Sequence, residues 1–176
     1  GVYAAYLWRL EHRGHNWNLI MTAPVRPFAL YAAKFCAMAK MAFLTQGWLL
    51  VLFLVGGKLG AGLAGFPPPE ILLWLLRGAV GGLPIIAIQL LLSMVIRNFA
   101  LPVLMALGGS ILGLMATTSN AGLFWPYSLM LMGMNSNRTE DVMTGQLPGF
   151  FLSCIIFLAI FLLTADAVLA KQDVKA

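Results

Sequence analysis

The sequence predicts an all-α fold, a polytopic bundle of transmembrane helices, and three observations predict it. Hydrophobic residues make up 61% of the 176 and charged residues only 10%, whereas a soluble domain carries about 25% charge. So few charges cannot cover a water-facing surface. The mean hydropathy of +0.89 is concentrated in runs near the roughly 20 residues that a helix needs to cross hydrocarbon. Short clusters of Gly, Pro and charge stand between the runs, and these break helices and favour water.

Taken in order, residues 1–10 are apolar and aromatic but too few to cross, and they read as the end of a span that begins before Gly1. Residues 11–27 are polar, then amphipathic, and are punctuated by Pro24 and Pro27. A short helix from Asn16 places Trp17, Ile20 and Met21 on one face. The first full span is expected over 28–57, with Lys34 and Lys40 in its early turns, where long side chains snorkel to head groups. A glycine- and proline-rich loop follows, ending at Glu70. Ile71 to Leu76 reads as an interfacial stretch closed by Arg77. Spans are then expected over 78–96 and 99–117, separated only by Arg97 and Asn98, so they form a tight hairpin. Gly122 to Met134 is too short to cross and contains Pro126, which predicts a re-entrant or interfacial segment before the last span. That span covers 147–170. Asp166 lies about one turn from Lys171, close enough to pair with it.

Charge orients the bundle. Alternation from a cytoplasmic 11–27 puts eight cations inside (Arg9, Arg13, Arg26, Lys34, Lys40, Arg97, Lys171 and Lys175). Three fall outside: Lys58, Arg77 and Arg138. The asymmetry satisfies the positive-inside rule.

Several chemistries are excluded. The net charge of +5 is scattered, and nucleic acid needs a basic face. Cys36 and Cys154 sit inside apolar runs and suggest neither a disulfide framework nor a metal motif. His12 and His15 lack the further ligands that a metal requires. The serines have no histidine base near them in sequence, so no catalytic residue is assigned. A nucleotide-binding motif is also missing from the sequence, so ATP hydrolysis, where it matters, belongs to another chain. Methionines are frequent: Met105, Met115 and Met130, with Trp125, are candidates for an adaptable apolar substrate path, and methionine is also ordinary filler in such helices. Gly109 and Gly113 form a small-xxx-small pair, which marks a subunit or an intrachain contact. Glu11 is open to two readings, a functional hallmark or a partner for Arg9 or Arg13.

The run Glu11, Gly14, Asn16, Trp17, Leu19, Ile20, Pro24, Tyr31, Lys34, with the later FWPYSL of Phe124 to Leu129, resembles the type-2 ABC exporter permeases. It is similar above all to the small permeases of bacterial lantibiotic-immunity and bacitracin-resistance exporters. That resemblance implies six spans per subunit, with this chain carrying the end of span two and spans three to six. It implies a second permease subunit, a separate cytoplasmic ATPase holding ATP and Mg, and a bacterial cytoplasmic membrane. It also makes Glu11, Gly14, Asn16, Trp17, Leu19, Ile20 and Pro24 the coupling segment that touches the ATPase. No cofactor is expected on the chain itself. Two other classes remain: an integral membrane enzyme acting on lipid or isoprenoid substrates, and an accessory membrane subunit that transports nothing.

Overall fold

The computed structural model describes residues 1–12, 26–62, 64–65, 68–119, 121–136, 138, 140–141 and 143–172. Among these residues the regular structure is helical: α1 (Val2–His12), α2 (Pro27–Val55), α3 (Glu70–Val95), α4 (Ala100–Thr118), α5 (Leu129–Gly133) and α6 (Leu147–Gln172). Four helices are long and apolar enough to cross a membrane: α2 with its π-helical extension to Gly60, then α3, α4 and α6. The bundle is therefore the all-α transmembrane fold that composition demands.

Local sequence sets the ends. Arg26 is extended (φ −58°, ψ 130°) ahead of Pro27 at the first helical turn, as the ring of a following proline requires. Helix α2 runs out through a π-helical turn at Gly56–Gly60, and Gly62 takes a positive φ of 62° in the loop beyond. Pro68 and Pro69 precede Glu70, whose charge in the first turn of α3 suits the positive end of the helix dipole. The Asn98 side chain accepts from the Ala100 amide at 2.8 Å and opens α4, so residues 96–99 make the expected tight hairpin.

The structure departs from expectation at Ile71 to Leu76, which belongs to α3 rather than to an interfacial stretch. Arg77 does not end the apolar run, because a carboxylate from elsewhere in the chain neutralises it inside the bundle. Asp166 and Lys171 form no ion pair among the described residues; the long pairs are Glu11–Lys34 and Arg77–Asp141.

Helix α3 is the hub. Of its most apolar stretch 44% is buried, against 11% for α2 and for α4 and 17% for α6. One core, at what we term the near face, packs Ala4 and Trp8 of α1 and Tyr31 of α2 against Ile86, Leu90 and Met94 of α3 and Ala165 and Leu169 of α6. A second, at the far face, gathers Leu129, Met143, Phe150 and Cys154. Arg9 lies over the Phe99 ring at 5.7 Å, so the end of α1 and the α3–α4 turn share the near face.

Residues 122–134 form a re-entrant hairpin. A 3-10 turn at Gly122–Phe124 and the short α5 are its two arms, and Pro126 is buried between them. The Trp125 indole donates to the Gly109 carbonyl at 2.9 Å, and Tyr127 packs on Gly109 and Gly113. Gly109 is at the midpoint of α4, roughly 14 Å from its end at 1.5 Å per residue. The chain then returns along α3, with Leu129 against Gly81 and Gly133 against Arg77. Glycine is required at this crossing: a Cβ on Gly81 would sit 2.5 Å from the Leu129 carbonyl oxygen, and one on Gly133 would sit 2.6 Å from that of Arg77.

Gly81→Ala therefore lowers the thermal stability of the detergent-solubilised protein by on the order of 1–3 kcal/mol. Gly108→Ala, where an added methyl meets nothing within 4 Å, is neutral or stabilising. Equal melting temperatures for the two variants would rule out the close approach of hairpin and helix.

Candidate functional site

The near face carries a charged frame around the connection between α1 and α2. Lys34 holds it together. Its Nζ lies 2.7 Å from Glu11 Oε1 and donates to the Leu7 carbonyl at 2.7 Å. It also stands 5.0 Å over the Trp8 ring. Ion pair, hydrogen bond and cation–π contact thus converge on one ammonium. A cation there also complements the negative end of α1. The pair is mostly shielded, with side-chain exposures of 11% and 12%. Below it, Tyr31 stacks with Phe28 at 6.0 Å and meets Trp8 at 6.5 Å. The Tyr31 hydroxyl donates to the Ala87 carbonyl at 2.7 Å, which ties the frame to α3.

The frame joins His12 at the end of α1 to Pro27 at the start of α2 on either side of residues 13–25. Gly14, Asn16, Trp17, Leu19, Ile20 and Pro24 lie outside the described residues. Glu11, Tyr31 and Lys34 are described, and the fold brings all three together. Glu11 pairs with Lys34 rather than with Arg9. Glu11 Oε2 is buried without a partner among the described residues.

The far face is held by a second ion pair. Arg77, 3% exposed, places Nη2 2.7 Å from Asp141 Oδ2. Trp74 Nε1 donates to the same oxygen at 3.4 Å, and the Met143 amide donates to Oδ1 at 2.9 Å. Burial pushes the Asp141 carboxyl up, but these hydrogen bonds and the Arg77 charge outweigh it and hold the group below its ordinary value. At mid-bundle the Gln89 amide donates to the Tyr127 hydroxyl, and Gln46 Nε2 lies 3.5 Å from Met134 Sδ. Gln46 and Gln89 are 5% and 0% exposed. Amides in hydrocarbon are costly to leave unpaired, and these two pin the hairpin to α2 and α3.

The four substrate-path candidates are not brought onto one wall. Trp125 and Met130 belong to the re-entrant hairpin, Met130 beside Gly82. Met105 and Met115 lie on the outward face of α4, 41% and 62% exposed. Gly109 and Gly113 mark a close contact, as their spacing predicts, and its partner is Tyr127 of the same chain. Sequence reasoning passed over Gln46, Gln89 and Tyr127. A lone amide inside an apolar run was the available signal. No local signal joins Arg77 to Asp141, because the pair is 64 residues apart.

Residues 1–113 match the family described as ABC-2 family transporter protein. Among curated proteins and among solved structures, no match is found.

Removing either partner of the near-face ion pair leaves a shielded charge alone. Glu11→Gln and Lys34→Met should each cost on the order of 2–3 kcal/mol. The double variant should recover part of that loss, with a coupling energy of about 1–3 kcal/mol. Additive losses in a double-mutant cycle of thermal denaturation would show that the contact carries no energy.

Proposed function

Because the chain belongs to the ABC-2 family of transporter proteins, as a multi-pass membrane component rather than an enzyme, we propose that it is the permease subunit of an ABC exporter driven by a separate ATPase. The observation that carries this reading is the near-face frame. Both ends of the 13–25 connection are bound to the bundle through Glu11–Lys34 and through Trp8, Phe28 and Tyr31. A push on that connection is thereby delivered to α3, the helix that touches every other crossing helix. A lever needs a rigid fulcrum, and a buried ion pair backed by aromatic rings supplies one.

In this reading Gly14, Asn16, Trp17, Leu19, Ile20 and Pro24 form the ATPase-docking segment, and ATP and Mg bind the partner. A second permease subunit completes the pathway, and the spans repack between inward-open and outward-open states. An amphipathic cargo suits the apolar, methionine-bearing helices: a peptide antibiotic, a drug or a lipid-like molecule. The pattern from Glu11 to Lys34 and the FWPYSL run support a reading among the bacterial lantibiotic-immunity and bacitracin-resistance permeases, in the cytoplasmic membrane.

The near face is assigned to the cytoplasm on the cation asymmetry. In a background without Cys36 and Cys154, a cysteine at position 137 should react with an impermeant thiol reagent from outside. One at position 16 should react only after permeabilisation. Reversed labelling would invert the molecule.

Trp17 is the expected anchor of the ATPase. An aromatic buried at a protein contact costs about 2 kcal/mol or more when cut to alanine, which is about thirtyfold in affinity. Trp17→Ala should stay folded and inserted while losing ATPase co-purification and transport, whereas Asn137→Ala should lose neither. Normal ATPase binding and transport by Trp17→Ala would refute the coupling role. Failure of any ATPase to co-purify with the wild type would refute the exporter reading itself.

A further inference from the structure

A cleft opens at the far face between the end of α4 and the return arm of the hairpin. Its floor and wall are apolar: Leu114, Leu131 and Met132. Its rim is polar: Thr117, Asn135, Ser136 and Arg138. The rim exists because Asn135, with a positive φ of 50°, turns the chain back across the end of α5. Its amide donates to the Met132 carbonyl at 3.1 Å, and the Ser136 amide donates to that of Leu131 at 3.2 Å. Asparagine accepts this left-handed conformation more readily than most residues. The turn carries Ser136 and then Arg138 over the opening.

Arg138 differs from the other far-face guanidinium. Arg77 is spent on Asp141, but Arg138 makes no ion pair among the described residues. Among the described residues its hydrogen bond runs to the Thr117 carbonyl at 3.4 Å, long for a charged donor. Leu114 of the cleft also belongs to an apolar face of α4, on which Leu107, Ile111 and Leu114 are 59%, 62% and 57% exposed. Their spacing puts them on one face of the helix. The molecule thus presents an apolar track that rises from the lipid-facing side of α4 to a cation with donors left unused by the described residues.

We infer that this cleft binds a single-chain amphiphile with an anionic head group, a phosphate or a carboxylate. The acyl chain lies along Leu107, Ile111 and Leu114, and the head group meets Arg138 with the Ser136 hydroxyl beside it. Guanidinium donors match the oxygens of such a head group in a fork geometry that an uncharged or zwitterionic group does not reward equally. The site stands whether or not an ATPase docks on the opposite face.

The test is equilibrium binding to the purified full chain in neutral detergent, by thermophoresis, with three probes: lysophosphatidic acid, lysophosphatidylcholine and inorganic phosphate. Lysophosphatidic acid should bind. Arg138→Gln should weaken it about tenfold, the worth of one charge-assisted hydrogen bond. Leu114→Trp, which fills the apolar wall from an exposed position, should weaken it as well, with the melting temperature unchanged. Equal binding of the zwitterionic probe would overturn the charge recognition. Equal binding of inorganic phosphate would overturn the role of the chain track. Undiminished binding by Arg138→Gln would remove the site.

Discussion

Hydrocarbon offers no hydrogen bonds, and this constraint governs everything else in the molecule. Each polar group carried into the bundle must find its partner inside the protein. The chain places its polar side chains where helices cross. Tyr31 reaches the Ala87 carbonyl, Gln89 reaches Tyr127, Trp125 reaches the Gly109 carbonyl, and Arg77 reaches Asp141. Each of these contacts ends on α3 or α4, or on the hairpin lodged between them. The apolar surface alone would leave helices free to slide, since lipid is as apolar as leucine. The buried polar contacts fix the register.

The re-entrant hairpin shows how little space such satisfaction allows. Its backbone passes α3 at Gly81 and its Tyr127 ring lies on α4 at Gly109, where no side chain larger than hydrogen fits without movement. Pro126 at the tip has no amide to satisfy, which suits a turn buried in the bundle. The Ser128 hydroxyl donates at the same turn, to the Trp125 carbonyl at 2.6 Å. A stretch too short to cross thereby becomes part of the interior.

At the near face the same economy takes an electrostatic form. Lys34 is near the lipid boundary, where a lone ammonium is costly. Glu11, the Leu7 carbonyl and the Trp8 ring together make its placement favourable. The same three contacts brace the end of α1 against the start of α2, so the device that solvates one charge also joins the two helices that flank the connection.

Composition and run length by themselves determined the class of fold, the four crossing helices found among the described residues, the tight turn at Arg97–Asn98 and the failure of Gly122 to Met134 to cross. These depend on how many consecutive residues tolerate hydrocarbon, which is a local property. Pairing was not legible. Glu11 had two arginines nearer in sequence than Lys34, and Arg77 looked like the edge of a span. Only the folded bundle, by bringing residues 64 apart within 2.7 Å, turned Arg77 from a boundary into an interior charge. The outward exposure of Met105 and Met115, set against the inward placement of Trp125 and Met130, was likewise decided by how α4 rotates against its neighbours. An almost uniformly apolar helix carries no periodic signal to announce that rotation.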